Sequence, residues 1–361
     1  MVSESFRLLL KGHDTVECCY YLQPTPGCQI DYEQLAVIRE GLRQSKSRDP
    51  KPITLGGVDF LLHRSGSSRG FPLVISNADC TIEFGEFNKP SFYATYRSEA
   101  LWRDSAFGQH QKFMEWATTV GLEAYKPETL SRVDFAFDYV LSVIDFNEDN
   151  FVTLCAKDSR YRYEGKLQTM MFGKGDIVLR IYDKVAEIVE KSGKTWFYGL
   201  WDGVCEDVWR IEWQTRKDIL RRFGIRTFAD LQDQQGDLLR YLTHEHTTLR
   251  IKSEDGNRSR WLLHPLWRDL QDQIKALDSQ GVYREIDRAA LVNERLMRIA
   301  IAIYGYAKQV AALHCVQSDK RSISKGEAMA VLGSLVQNVH DPLSWRDGVE
   351  KRVDLIRLGQ W

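Results

Sequence analysis

The segment SRVDFAFDYV, residues 131–140, decides how this chain is read. Successive side chains of a strand point to opposite faces. One face then carries Val133, Phe135, Phe137 and Tyr139, a continuous apolar surface suited to a core. The other carries Arg132, Asp134, Ala136 and Asp138. Two more segments alternate in the same way. In IVLRIYDK (177–184), Ile177, Leu179 and Ile181 oppose Arg180, Tyr182 and Lys184; in WRIEWQ (209–214), Trp209, Ile211 and Trp213 oppose Arg210, Glu212 and Gln214. If these strands are neighbours, one sheet face gathers Asp134, Asp138 and Glu212, several cations and a tyrosine. A solvated face of an antiparallel sheet is ordinarily polar, but Lys, Thr, Ser and Glu are its usual filling. Repeated arginine–carboxylate pairs with one tyrosine next to a lysine read as a site.

Around this core the pattern is α+β. TVECCYYL (15–22), VDFLLHR (58–64), FPLVIS (71–76), CTIEFGEF (80–87) and SFYATYR (91–97) are strand-like runs broken by Gly, Ser, Asn and Pro. Helical spacing appears in YEQLAVIREGLRQ (32–44) and GQHQKFMEWATTVG (108–121). A second series follows: the strand at 131–140, a helix over NEDNFVTLCAKD (147–158), strands KLQTMMFG (166–173) and DIVLRIYDK (176–184), strand VWRIEWQT (208–215) and helix KDILRRFG (217–224). Each series ends in an aromatic strand running into a basic helix, SFYATYRSEALWR and VWRIEWQTRKDILRR, which reads as an internally duplicated α+β unit. Beyond about Phe228 strands are expected to stop. FADLQDQQGDLLRYL (228–242), WRDLQDQIKAL (267–277), the long run 284–314 and the final segments 324–339 and 344–358 have helical spacing. The expected fold is thus an antiparallel sheet domain followed by a helical C-terminal region.

Composition narrows function. The chain has 361 residues, 43% hydrophobic and 27% charged, ordinary for a globular protein. A net charge of −1 gives no global footprint for nucleic acid, so any DNA surface must come from local charge. Arg210, Arg216, Lys217, Arg221 and Arg222 form the strongest basic run. Seven cysteines at irregular spacing, without a CxxC pair, fit free thiols in a reducing compartment. No uninterrupted apolar run approaches membrane-spanning length, and a cytoplasmic protein without a membrane partner is expected. No Walker motif occurs. His244 and His246 in THEHTT lie two apart but far from Tyr182 in sequence, and no metal role is expected for them.

The gathered face suits metal-assisted transesterification of a phosphodiester. Carboxylates such as Asp134, Asp138 and Glu212 can hold Mg²⁺ or Mn²⁺ through hard oxygen donors, and the metal polarises the scissile phosphate. A tyrosine hydroxyl titrating near 10 is activated by a nearby cation that favours the phenolate, and attack forms a phosphotyrosine. Arg180, Lys184 and Arg210 would neutralise phosphate oxygens.

FGKGDIVLRIYDKVAEI (172–188), preceded by SRVDFAFDY and followed by VWRIEWQTRKDILRRFG, resembles the replication initiation factor family often called Rep_trans. The R-x-Y-D-K pattern with a later Glu stands as Arg180, Tyr182, Asp183, Lys184 and Glu187. The R-[IV]-D pattern with a second Asp stands as Arg132, Asp134 and Asp138, and R-[LIV]-E as Arg210, Ile211 and Glu212. The resemblance covers about 128–226, is weaker over 12–127 and fades after about 270. It implies that Tyr182 nicks one strand at an origin hairpin or single-stranded nick site, takes the 5′-phosphate and leaves a 3′-OH, with carboxylates as metal ligands. Arg180 and Lys184 would assist. Such proteins start rolling-circle replication or transfer of plasmids, phages and conjugative elements. A host helicase would unwind the nicked strand, and a homodimer is a further implied partner. The expected divisions are 1–127, a strand-rich half touching DNA; 128–226, the catalytic half; and 227–361, helices for DNA binding, dimerisation or docking. The alternative is a non-catalytic, sequence-specific DNA-binding protein of a mobile element. Among rival tyrosines, Tyr161 and Tyr163 in SRYRYEGK come second to Tyr182.

Overall fold

The computed structural model describes residues 6–45, 49–275 and 288–357. The described residues up to 275 belong to one compact unit and residues 288–357 to a second. The first unit is built on an antiparallel sheet. Its strands are β1 (Phe6–Pro24), β2 (Lys51–Leu55), β3 (Val58–Leu62), β4 (Leu73–Ser76), β5 (Cys80–Phe84), β6 (Phe92–Tyr96), β7 (Leu122–Leu141), β9 (Asp158–Tyr163), β10 (Lys166–Phe172), β11 (Ile177–Asp183) and β12 (Val208–Arg216). They lie in the order β2-β3-β4-β5-β6-β1-β7-β12-β11-β10-β9.

The order repeats about its centre. In each half the first strand lies in the middle, the last strand returns beside it, and the others step outward. Val16 of β1 pairs with Val133 of β7; on their outer sides Val16 faces Tyr96 of β6 and Val133 faces Thr215 of β12. The connectivity therefore matches across the Val16–Val133 pair. Each outer strand then runs through an arginine into a helix, α2 (Ser98–Thr119) after Arg97 and α5 (Lys217–Arg222) within β12's terminal Arg216.

The apolar faces read from alternation form the core. Val133, Phe135, Phe137, Tyr139, Leu179, Ile181, Trp209, Ile211 and Trp213 are all buried, in one cluster with Leu220 of α5, Leu231 and Leu238 of α6 (Phe228–Tyr241), and Trp267 and Leu270 of α7 (Pro265–Lys275). Burying a large apolar side chain contributes about 1.5–3 kcal/mol, so these strand faces and helices fold as one body. Helix α1 (Tyr32–Gln44) begins where Asp31 accepts a bond from the Gln34 amide as its N-cap.

Two expectations are corrected. The segment 147–158 is not a helix: a single 3₁₀ turn, Glu148–Asn150, leads into β8 (Phe151–Thr153). Asn147 and Asn150 close a capping box that stops after one turn, and Phe151 is drawn into the core. Strands also do not end near 228, because β13 (Thr247–Leu249) pairs with β8 as a separate two-stranded sheet. Its β-branched threonines favour a pleated pairing.

Two short helical turns, α3 (Lys184–Glu187) and α4 (Phe197–Leu200), follow β11. The second unit holds α8 (Arg288–Ser318), α9 (Lys325–Val339) and α10 (Pro342–Arg357). Residues 276–277, 284–287 and 358 of the expected helices lie outside the described residues. Within α8, Arg295–Ser318 is long and apolar enough by length and composition to cross a membrane. Lys308 interrupts the run, which is why no unbroken apolar stretch is seen in the sequence.

Three strands meet at one guanidinium. Arg210 of β12 is fully buried, and ion pairs join it to Asp14 of β1 and Asp138 of β7. Removing one partner of a buried pair leaves an uncompensated charge and costs about 3–5 kcal/mol. Arg210→Ala should lose that much stability in urea denaturation. A solvent-facing phosphate contact would change it by no more than about 0.5 kcal/mol.

Candidate active site

The polar sheet face is built around Arg210. Its Nε and Nη2 donate to the two oxygens of Asp138 at 2.6 and 2.8 Å, and Nη1 donates to Asp14. Trp201 Nε1 adds a 3.0 Å bond to Asp138, Ser98 Oγ a 2.7 Å bond to Asp14, and the guanidinium lies 4.6 Å from the Phe197 ring centre. Burial opposes ionisation of Asp14, but Arg210, Lys194 and Lys184 outweigh it and hold its carboxyl well below the usual range. Arg210, expected to touch DNA, is therefore a structural centre closed off from solvent. Asp138, expected to bind metal, has no exposure and both oxygens taken.

Tyr182 stands directly opposite Arg210 across the β11–β12 pairing. Its hydroxyl donates to Glu212 Oε2 at 2.8 Å. Arg180, on the same face, donates from Nη1 to Glu212 Oε1 at 2.9 Å and from Nη2 to Gln214 Oε1 at 2.9 Å. Burial and the Glu212 carboxylate raise the Tyr182 phenol well above its ordinary value, against the opposing pull of Arg210. The expectation that a cation holds Tyr182 ready as phenolate is corrected: its nearest partner is a carboxylate that can accept its proton.

Lys184 is placed differently from strand alternation. The strand stops at Asp183, whose side chain caps α3 by accepting from the Ala186 amide at 2.9 Å. Lys184 turns inward, 2% exposed, bonds to Glu187 at 2.7 Å and lies 5.6 Å from the Tyr182 ring centre. Burial and Arg210 lower its pKa.

Further along the face, Arg132 grips both oxygens of Asp134 and also reaches Glu17 Oε1 at 3.3 Å. Glu17 in turn accepts from Tyr93 and, at 3.1 Å, from Arg69, which bonds Glu83 at 2.7 Å. Acids and arginines thus alternate from Glu83 to Asp134 across both halves of the sheet. Burial raises Asp134 to about 7; Arg132 opposes this and Glu212 adds to it. Sequence reading missed Asp14, Glu17 and Arg69, and held Tyr93 only as one of the rivals to Tyr182. Alternation in TVECCYYL sets Glu17 apart from Val16 and Cys18 and could have revealed one of them.

The expected Asp134–Asp138–Glu212 metal trio does not fit a resident divalent ion. Each of the three is matched with its own guanidinium, and Glu212 also accepts from Tyr182. Among the described residues no three His, Cys, Asp or Glu side chains converge as ligands. The remaining basic residues, Arg216, Lys217, Arg221 and Arg222, are exposed around α5, at the end of β12 away from Arg210. Six residues of strand put them about 20 Å from the Tyr182 row. His246 is buried against Trp213, while His244 is exposed.

Asp134 sets a pH dependence. Its folded-state pKa of about 7 lies above the unfolded value of about 3.9, so the native state holds the proton more tightly. Its stabilising contribution is complete below about pH 4 and is lost as pH rises towards 7. Asp134→Asn should flatten the fall in stability between those limits, read from urea midpoints over a pH series. An unchanged slope would show that Asp134 is ionised throughout.

No family model matches the sequence, and no curated protein matches it. Among solved structures, the chain is similar to a rolling circle replication initiator protein from Geobacillus stearothermophilus. The identity is 15% and the TM-score 0.43, over 76% of this chain and 99% of that one.

Proposed function

We propose that this chain nicks one strand of DNA with Tyr182 as nucleophile, as a replication initiator or relaxase of a mobile element. The observation that carries this reading is the Tyr182–Glu212–Arg180 group. A phenol, a carboxylate within hydrogen-bond reach and a guanidinium 29% exposed stand together at one end of a sheet face. A nucleophile bonded to a base that a third group orients is the recurring arrangement of covalent catalysis.

In the reaction, Glu212 takes the phenolic proton as the Tyr182 oxygen attacks phosphorus. Arg180, held in plane by Glu212 and Gln214, meets the charge that develops on the non-bridging oxygens. The bond from phosphorus to the 3′-oxygen breaks, and that oxygen takes a proton from solvent. The products are a 5′-phosphotyrosine and a free 3′-OH, ready to prime synthesis. Lys184 is too buried to reach the phosphate; beneath the Tyr182 ring, it sets the local field. No step is routed through a divalent ion, because the carboxylates stand paired with arginines. Origin DNA would be presented as a hairpin or as a single strand. With no Walker motif in the sequence, strand separation falls to a separate helicase.

The test is incubation with supercoiled DNA of the protein's own element, in buffer containing Mg²⁺, followed by denaturing gel detection of covalent protein–DNA adduct. Wild type should form the adduct and Tyr182→Phe should not. Glu212→Gln should slow its formation by about 10²–10⁴-fold, the usual contribution of a general base, while still binding DNA. An adduct from Tyr182→Phe would sink the nucleophile assignment. Binding by wild type without nicking would favour the non-catalytic reading.

A further inference from the structure

We propose that the β9–β10 hairpin is a stacking platform for unpaired DNA bases beside the scissile phosphate; this rests on the nicking reading of Tyr182. Strand β9 is the last strand at one edge of the sheet, and all six of its residues are exposed. Pairing fixes where its side chains point. Tyr161 pairs with Thr169 of β10, and Thr169 pairs with Tyr182 of β11. Directly paired residues share a face, so Tyr161 lies on the face of Tyr182, two strand spacings or about 10 Å away. Tyr163, two residues along, has the same parity in β9, with a bulge in β10 between Leu167 and Thr169 separating the partners of the two tyrosines. Residues on the other parity behave differently: Arg160 pairs in register with Met170, which is fully buried, and makes an ion pair with Glu148.

The hairpin is built to hold this edge out. Glu164 (φ 48°) and Gly165 (φ 80°) are both left-handed, the two-residue turn whose twist suits a tight antiparallel pair. Charges alone would protect an edge strand from unwanted pairing, and Arg160 and Arg162 supply them. They do not require two tyrosines on the opposite parity, 49% and 52% exposed. Among the described residues neither phenol has a hydrogen-bond partner. Lys191 approaches the Tyr161 ring to 5.7 Å, and Lys166 pairs in register with Tyr163. Flat aromatic faces interleaved with cations, next to a candidate nucleophile, are the chemistry that takes single-stranded nucleic acid: bases stack on the rings and phosphates meet the cations. The acids nearby do not occupy the rings, since Glu190 is bonded to Gln168 and Glu164 sits in the turn.

The test measures equilibrium binding of a short fluorescein-labelled oligonucleotide by anisotropy, single-stranded and duplex, in a Tyr182→Phe background that prevents covalent capture. The Tyr161→Ala/Tyr163→Ala double variant should bind the single strand at least about 30-fold more weakly, the lower end for losing two stacked bases. Duplex affinity should stay unchanged. Tyr161→Phe/Tyr163→Phe should bind like the parent, because stacking needs the ring and not the hydroxyl. The slope of log affinity against log salt should also persist, since no charge is removed. Undiminished single-strand binding by the Ala variant would overturn the proposal. So would an equal loss for duplex, or a Phe variant as weak as the Ala variant. Because the assay needs no nicking, absence of adduct from wild type would remove the nucleophile reading alone, and unaltered binding would remove the platform alone.

Discussion

Arg210, shared between Asp14 and Asp138, is the interaction on which the rest of the polar face depends. The three residues come from β12, β1 and β7, so one guanidinium ties the first half of the sheet to the second. Taking three charges out of water costs several kcal/mol per ion. The arrangement offsets that cost with three bonds from the guanidinium to its two acids, further donors from Trp201 and Ser98, and aromatic cover from Phe197. Buried ion pairs of this kind are weak evidence for stability and better understood as devices that fix register. Here the register matters, because Tyr182 is the residue paired with Arg210. A slip by one residue would turn Tyr182 and Glu212 to the apolar side together.

The repeated connectivity explains why the polar face is larger than one half could supply. Arg132 of the second half bonds Glu17 of the first, and the alternation of acid and arginine continues through Arg69 to Glu83. Neutralised pairs make this stretch rigid, and they leave the carboxylates poorly placed to gather around an ion. Tyr182 donates to a carboxylate whose far oxygen holds a guanidinium, and Tyr93 repeats that arrangement with Glu17 and Arg132. Tyr93 is 7% exposed, Arg69 covers its ring at 4.2 Å, and burial with Glu17 raises its phenol above the ordinary value.

Much of this was legible in period-two alternation. On the core side that alternation predicts, Val133, Phe135, Phe137, Tyr139, Leu179, Ile181, Trp209, Ile211 and Trp213 are buried, and Ile177 is partly buried. The same alternation put Arg180, Tyr182, Glu212 and Gln214 on one face, where they bond to one another. What alternation cannot report is depth. Arg210 and Asp138 share the parity of Glu212 but lie beneath α4 and its flanking tryptophans, so a face that reads as solvated is covered at that end. Lys184 was misplaced because a capping aspartate ends the strand one residue before it. The segment 147–158 read as helix because helical and strand spacing are hard to separate over so few residues. Pairing of β8 with β13, nearly a hundred positions later, decided it. Glu17 and Asp14 escaped notice because their partners lie 52 to 196 residues away in sequence.

The central claim is that the phenol bonded to Glu212, and not one of the exposed tyrosines beside it, carries the covalent chemistry. Peptide mass spectrometry of the protein after reaction with its own element's DNA, digested with nuclease and protease, tests this most directly. The account predicts a nucleotide remnant on the peptide containing Tyr182, with fragmentation placing it on that residue. A remnant on Tyr161, Tyr163 or Tyr93 instead would contradict it.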